Sequence, residues 1–274
     1  MKDGRRTVPP SIFLEGWDGL TSLIELRGVT KVFGKGGAAV HAFGPVDIAI
    51  SEGQFISFLG PSGCGKSTLM LMIAGLLAPS AGSIRVNGTE VKGPQTDIGI
   101  MFQDSTLVPW RTVRGNIELQ LEMRGIPVAA VRQRVAALLK SVRLEDFADR
   151  FPFELSGGMQ QRAAFCQAMI HQPKIVLLDE PLGKLDAMTR EHIRADLQSL
   201  WMQSRPTVVF VTHSIEEAVQ LSTEVAVITP RPGKIDTLIS VDLPFPRDLT
   251  VKNSSAFIRH VHDIQEIFHG YGVI

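Results

Sequence analysis

The sequence predicts an α/β fold built on parallel strands with helical crossovers, and three observations predict it. A glycine-rich loop ending in Lys66-Ser67 lies between an apolar strand and a helix. Two later runs of β-branched residues, at 174–178 and 207–212, are separated by a helix-length segment. From about 113 to 147 apolar residues recur at helical spacing, as in Val128-Ala129-Ala130-Val131 and Val135-Ala136-Ala137-Leu138-Leu139, which predicts an all-helical insert. The elements follow in order. Residues 23–27 and 46–50 alternate apolar with polar or small side chains, and 54–59 is an apolar run, so three strands precede the glycine-rich turn. Residues 68–77 then read as a helix, 82–88 as a hairpin-like stretch with Asn87-Gly88 at its turn, and 98–102 as a short strand. After the insert come the strand at 174–178, a helix at 186–201, the strand at 207–212, a helix at 214–221 and a strand at 225–229. Arg231-Pro232-Gly233-Lys234 is a turn. Phe257, Val261, Ile264 and Phe268 mark a final amphipathic helix.

Composition narrows the function classes. The 274 residues carry 28 Lys+Arg against 28 Asp+Glu, a formal net charge of zero, which argues against holding nucleic acid or an anionic membrane by bulk electrostatics. The longest apolar run, 69–78, is interrupted by Gly75 and falls well short of the roughly 20 residues that cross a bilayer. Cys64 and Cys166 are too few and too far apart for a disulfide framework or a zinc site. Arg5-Arg6 is followed by Pro9-Pro10 and Glu15 rather than an apolar core, so the start does not read as an export signal, and the cytoplasm is the expected compartment. Residues 1–21 read as a mobile extension with at most a short docked stretch around Phe13 and Trp17, and the folded domain as 22–274.

The chemistry is concentrated in a few strings. Gly60-Pro61-Ser62-Gly63-Cys64-Gly65-Lys66-Ser67, followed by Thr68, matches GxxxxGK[ST] in the strand-to-helix context that motif requires. Its glycines let backbone N–H groups turn toward phosphate oxygens, Lys66 would reach the β- and γ-phosphates, and Ser67 would ligate Mg²⁺. Cys64 reads as a small loop residue and not a nucleophile. The apolar strand from 175 closes on Asp179-Glu180, at its C-terminal end, where open α/β sheets bind ligands; Asp179 is a candidate Mg²⁺ ligand and Glu180 a candidate to polarise water, against the plainer alternative of two solvated acids. His213 closes the strand 207–212 and could hydrogen-bond a γ-phosphate if that strand lies beside the others. The other six histidines, His41, His171, His192, His260, His262 and His269, are assigned to surface or packing roles. His260 and His262 are alternate residues on a helix and face different sides, so no metal site is expected there. Ser156-Gly157-Gly158, within Leu155-Ser156-Gly157-Gly158-Met159-Gln160-Gln161-Arg162, form a second anion-binding helix start. One nucleotide has one γ-phosphate, so this points to two chains sharing nucleotides at an interface.

With the phosphate loop upstream and Asp179-Glu180 and His213 downstream, the string 155–160 resembles the signature motif of ATP-binding cassette (ABC) ATPases, and the resemblance runs from about Ser22 to the C-terminus. It implies a P-loop NTPase core with an antiparallel β subdomain and an inserted α-helical subdomain, at about 104–160. It also implies two cassettes packed head to tail around two ATP molecules with Mg²⁺. Gln103, in Met101-Phe102-Gln103-Asp104, is similar to the family's Q-loop glutamine, which senses Mg²⁺ and the attacking water. Phe33 sits where the family places an aromatic against adenine, although an aromatic there could also be plain core. Leu185-Asp186 matches the D-loop at the dimer interface, and Ser156 and Gly158 would act on ATP held by the partner chain.

Three places depart from the family pattern. Met159 replaces a common glutamine, Lys184 places a long cation near the dimer seam, and Ala164-Phe165-Cys166-Gln167 replaces the usual run after the signature. The last two bear on dimer packing and not on nucleotide chemistry. With no spanning segment in the chain, the resemblance implies separate membrane permease subunits, fed by an external solute-binding protein, and a peripheral position on the inner membrane face. Residues 107–113 would line the groove that receives a permease helix. Trp110 is the expected anchor there, the alternative being a local core residue. Pro109-Trp110, Glu216-Glu217-Ala218-Val219, residues 231–235 and Pro244-Phe245-Pro246-Arg247-Asp248 resemble the cassettes of nitrate, sulfonate, taurine and bicarbonate importers. Two rivals are a soluble cassette ATPase acting on nucleic acid or ribosomes, which usually carries a coiled-coil insert or a second cassette, and a P-loop kinase, which would have no use for residues 155–160.

Overall fold

A computed structural model of the chain describes residues 5–7, 22–34, 36–183 and 185–273. The expected docked stretch at Phe13 and Trp17, and Lys184, lie outside the described residues. The chain divides into two compact units, one of Met1–Thr96 with Arg205–Ile274 and one of Asp97–Ser204.

The first unit opens with β1 (Arg5–Thr7) and two twelve-residue strands, β2 (Ser22–Phe33) and β3 (Val40–Ser51), paired antiparallel with Leu26 opposite Ile48. The alternation read from sequence appears as burial of Ile24 and Leu26 on β2 and of Val46, Ile48 and Ile50 on β3. Both strands outrun their alternating cores because register shifts between Leu26 and Val32 break the period of two. Asp47 closes one irregularity, its Oδ1 accepting the Gly28 N–H at 2.7 Å. β4 (Phe55–Leu59), buried throughout, runs through the glycine-rich loop into α1 (Lys66–Ile73). β5 (Ala81–Val86) and β6 (Thr89–Glu90) complete a four-stranded sheet of order β3-β2-β5-β6, and their turn has φ of 50° at Asn87 and 73° at Gly88.

In the second unit, β7 (Ile98–Met101) precedes the helical insert. α2 (Val113–Glu122) is N-capped by Thr112, whose hydroxyl accepts the Gly115 N–H at 3.1 Å. α3 (Val128–Ser141) buries Val131, Val135 and Leu139, one stripe at i, i+4, i+8. α4 (Gly157–Met169), β8 (Ile175–Asp179) and α5 (Ala187–Ser204) follow, with β8 parallel to β7 and Ile100 opposite Leu177. Ala164, Phe165, Cys166 and Gln167 are buried within this unit, and the Gln167 Nε2 donates to the Asn116 carbonyl at 3.0 Å. The departure from the family pattern at these four positions is therefore absorbed by the packing of α4 against its own chain. Burial pushes the Cys166 thiol up to about 12.

The chain returns to the first unit with β9 (Thr207–Thr212), α6 (Ile215–Leu221), β10 (Glu224–Ile228), β11 (Ile235–Ser240) and α7 (Ser255–Gly270). β4 lies between β9 and β10, parallel to both, with Leu59 opposite Thr212 and Val227. β11 runs antiparallel to β10, and β1 antiparallel to β11 with Arg6 opposite Leu238. α7 buries Phe257, Ile264 and Phe268 against Ala218 and Val219 of α6 and against the β10 and β11 side chains. Among the described residues no helix is long and apolar enough to cross a membrane.

One cation ties this last part together. Arg247 is 2% exposed, and its Nη1 donates to the Val219 and Ser222 carbonyls, both at 2.7 Å. Its Nη2 donates to the carbonyls of Val241 at 3.0 Å and Leu243 at 2.8 Å. The guanidinium also lies 4.0 Å from the centre of the Phe245 ring. It thus satisfies carbonyls at the end of α6, where a helix presents unpaired acceptors and partial negative charge. Burial pushes its pKa down to about 10. Arg247→Met should lower unfolding stability by about 3–5 kcal/mol, measured by urea titration, because it strands buried carbonyls that no apolar side chain can satisfy.

Candidate functional site

The first unit carries the phosphate loop and the strand ends beside it. β4 stops at Leu59, and Gly60, Pro61, Ser62, Gly63, Cys64 and Gly65 turn the chain into α1. Gly65 occupies the N-cap with φ 102°, and a Cβ there would stand 2.7 Å from the Ala42 carbonyl oxygen, so both conformation and space call for glycine. Lys66 is only 4% exposed, and its Nζ donates to the Gly60 and Pro61 carbonyls at 2.8 and 2.9 Å. The loop therefore folds around its own ammonium. Ser62, Gly63 and Ser67 face solvent, with Thr68 half-buried on the first turn of α1. Cys64 is buried with its thiol pushed up by desolvation, in keeping with an inert loop residue.

The β4–β9 register, Leu59 opposite Thr212, sets His213 beside Gly60 at the same strand edge, which meets the condition the sequence placed on this histidine. His213 is exposed, and the turn that carries it is pinned by a buried carboxylate the sequence reading did not single out for this role. The Thr212 hydroxyl donates to the Glu217 Oε2 at 2.7 Å and accepts the Ser214 N–H at 3.0 Å, while Ser214 N-caps α6. Phe33 ends β2 opposite Val40, and its ring is 43% exposed with the Lys31 Nζ 5.2 Å from the centroid. A ring this exposed is not the plain core residue that was the alternative.

The second unit carries the acids and the signature. Asp179 is the last residue of β8 and is buried. Glu180 follows in the left-handed region with φ 44°, rare for a non-glycine residue, and its carbonyl accepts the Gly183 N–H at 3.1 Å. Such a backbone is an observed strain of the kind found at reactive positions. Gln103 follows β7, whose Met101 lies opposite Leu178, and the Gln103 Nε2 donates to the Glu180 Oε2 at 3.4 Å. The Gln103 carbonyl in turn accepts from the Gln161 Nε2 at 3.0 Å, so a buried residue of α4 holds the glutamine loop. Sequence reading missed the part of Gln161, which depends on a pairing across 58 positions.

Ser156 N-caps α4, its hydroxyl accepting the Met159 N–H at 3.4 Å; Ser156 and Gly157 are exposed, and Gly158 is buried. Asp186 is exposed and caps the start of α5, its Oδ1 accepting N–H bonds from Met188 at 3.1 Å and Thr189 at 3.0 Å. Hydrogen bonds from Thr189 hold its carboxyl below the usual aspartate range. Asn116, fully buried, pins the loop before α2 by accepting the Val108 N–H at 2.6 Å and donating to the carbonyls of Val108, Arg111 and Thr112. Trp110, on that loop, is 77% exposed and so is not the local core residue that was the alternative. Among the described residues no group of three His, Cys, Asp or Glu could hold a metal ion by itself. The candidate Mg²⁺ donors are instead single oxygens on each unit, the Ser67 hydroxyl on the first and the Asp179 carboxylate and Gln103 amide oxygen on the second, each of the hardness Mg²⁺ takes.

The chain resembles several known proteins. The ABC transporter family model matches residues 43–183. An uncharacterized ABC transporter ATP-binding protein of Methanocaldococcus jannaschii is 44% identical over 227 residues, covering 83% of this chain and 85% of the relative. An aliphatic sulfonates import ATP-binding protein of Bacillus licheniformis is also 44% identical over 227 residues, covering 83% of this chain and 88% of the relative. Among solved structures, a dimeric ATP-binding cassette in a post-hydrolysis state bound to ADP and Pi superposes with a TM-score of 0.72. It is 32% identical and covers 81% of this chain and all of the other.

Proposed function

This chain belongs to the ABC transporter family, and from that premise we propose that it is the ATP-hydrolysing subunit of an importer for a small anion of the sulfonate class. The observation that carries the nucleotide part is Lys66, a buried ammonium held by two loop carbonyls at the start of a helix, where an anion's phosphates gain from charge and from unpaired N–H groups. The residues of the loop from Gly60 to Thr68 cradle the triphosphate, and Phe33 stacks on adenine. Ser67, Asp179 and Gln103 would hold Mg²⁺, which would supply neutralisation of the β- and γ-phosphate charge. Glu180 takes a proton from water as the water oxygen bonds to the γ-phosphorus and the bond from that phosphorus to the β–γ bridging oxygen breaks, giving ADP and phosphate. His213 donates to the γ-phosphate. Ser156, Gly157 and Gly158 of one chain meet the nucleotide of a second copy, with Asp186 at the seam.

The solute class rests on the sulfonate-importing relative together with the motifs shared with importers of small anions. The permease is a separate membrane protein that docks on the 107–113 loop, and an external binding protein delivers the solute, so the chain sits on the inner face of the membrane. The neutral formal charge gives no support to a nucleic-acid partner. Cells lacking this chain should lose uptake of a labelled short-chain alkanesulfonate, and the wild-type chain should restore it. Trp110→Ala should restore it about tenfold less well or worse, as expected for an exposed aromatic anchor. Unchanged uptake in the deleted cells would remove the sulfonate assignment, and full rescue by Trp110→Ala would remove the anchor.

A further inference from the structure

The strap that holds the phosphate loop lies outside the loop's own motif. Phe43, on β3, is fully buried. Its Cδ2 lies 2.8 Å from where a Cβ on Gly65 would stand and 2.9 Å from where one on Gly233 would stand, so the ring is wedged between two glycine backbones. A Cβ on Gly233 would also overlap the Cys64 carbonyl oxygen. The turn at 231–234 therefore rests on the main chain of the phosphate loop. Phe43 and Gly233 form an isolated parallel bridge, and the Gly44 N–H donates to the Gly233 carbonyl at 2.8 Å. Three pieces of chain far apart in sequence, at 43–44, 64–65 and 233, thus meet with no room for an added atom. Phe43 is three residues from Val40, which pairs with Phe33.

We infer that Phe43 and Gly233 are positioning residues for nucleotide binding, setting the phosphate loop at a fixed distance from the strand that leads to Phe33. The inference rests on the nucleotide reading of that loop. Close-packed interiors transmit displacement and do not absorb it, so a side chain at 233 pushes on the Cys64-Gly65 backbone whose N–H groups serve the phosphates. Gly233 has no positive φ, so alanine there meets no conformational penalty, and its effect reports the contact alone.

Two measurements on the full chain test this. In steady-state ATP hydrolysis, Gly233→Ala should raise the KM for ATP about tenfold or more with kcat within about threefold of wild type, because a displaced loop loses binding geometry while Glu180, which takes the proton from water, lies outside that loop. Lys234→Ala, an exposed neighbour on the same turn, should leave KM unchanged. In hydrogen exchange on the wild-type chain, ADP should slow the amides of 231–235 and 42–44 together with those of 60–68. An unaltered KM in Gly233→Ala, a fall in kcat with no change in KM, or exchange at 231–235 indifferent to ADP would each overturn the inference. If Gly233→Ala does not fold, the wild-type exchange result decides. A wild-type chain that shows no ATP binding overturns the nucleotide reading and this inference with it, whereas normal wild-type binding with an indifferent Gly233→Ala overturns this inference alone.

Discussion

Glu180→Gln is expected to bind ATP as wild type does, to hydrolyse it about 10³-fold more slowly, and to accumulate as a dimer in the presence of ATP. Glutamine keeps the length of the side chain and an oxygen that can accept from the Gln103 Nε2, the contact seen at 3.4 Å. The left-handed backbone at φ 44° is as accessible to glutamine as to glutamate, so the local turn should persist. What is lost is the charge that takes a proton from water. In the proposed cycle hydrolysis reopens the closed dimer, so the substitution should hold two chains together. Light scattering with and without ATP reads the particle mass, and a phosphate-release assay reads turnover. Near-normal turnover would remove Glu180 from the chemistry.

Lys66→Ala should act at the earlier step, weakening ATP affinity by about 10²–10³-fold through loss of a charge-assisted contact to the β- and γ-phosphates. The side chain meets the loop through the carbonyls of Gly60 and Pro61, which alanine leaves without their donor. Some loop stability should therefore be lost as well, and calorimetric titration with Mg-ATP should be paired with a thermal melt of the nucleotide-free chain. An unchanged dissociation constant in a folded variant would count against the phosphate-loop assignment. The two variants differ in what they spare, since Glu180→Gln retains binding and Lys66→Ala does not, and only the former should dimerise with ATP.

The contiguous parts of this molecule were legible because their physics is local. GxxxxGK[ST] spells a turn, a helix start and a cation within eight residues, and the β-branched strands before Glu180 and His213 announce themselves by composition. The β2–β3 hairpin was legible only at its alternating centre; its ends, with Phe33 opposite Val40, are reached through register shifts that erase the period of two. β11, whose six residues alternate weakly, and the three residues of β1 carried too little pattern to be read as strands.

The supporting residues were illegible for a different reason. Gln161 acts on Gln103, Glu217 on Thr212, Asn116 on the Trp110 loop, and Arg247 on the ends of α6 and β11. Each is an ordinary polar residue whose role exists only once distant or turn-folded segments are brought together. Gly233 is the extreme case, because a glycine in a Pro-Gly turn already has a sufficient local explanation, and the loop backbone against which it packs is nearly 170 positions away.

Isolation of this chain from native membranes in mild detergent, with and without ATP, tests whether it powers a membrane permease. A chain that does so should be recovered with an integral membrane protein in fixed proportion. Recovery only from the soluble fraction, or bound to ribosomes or nucleic acid, would leave an ATPase standing and contradict the transport function.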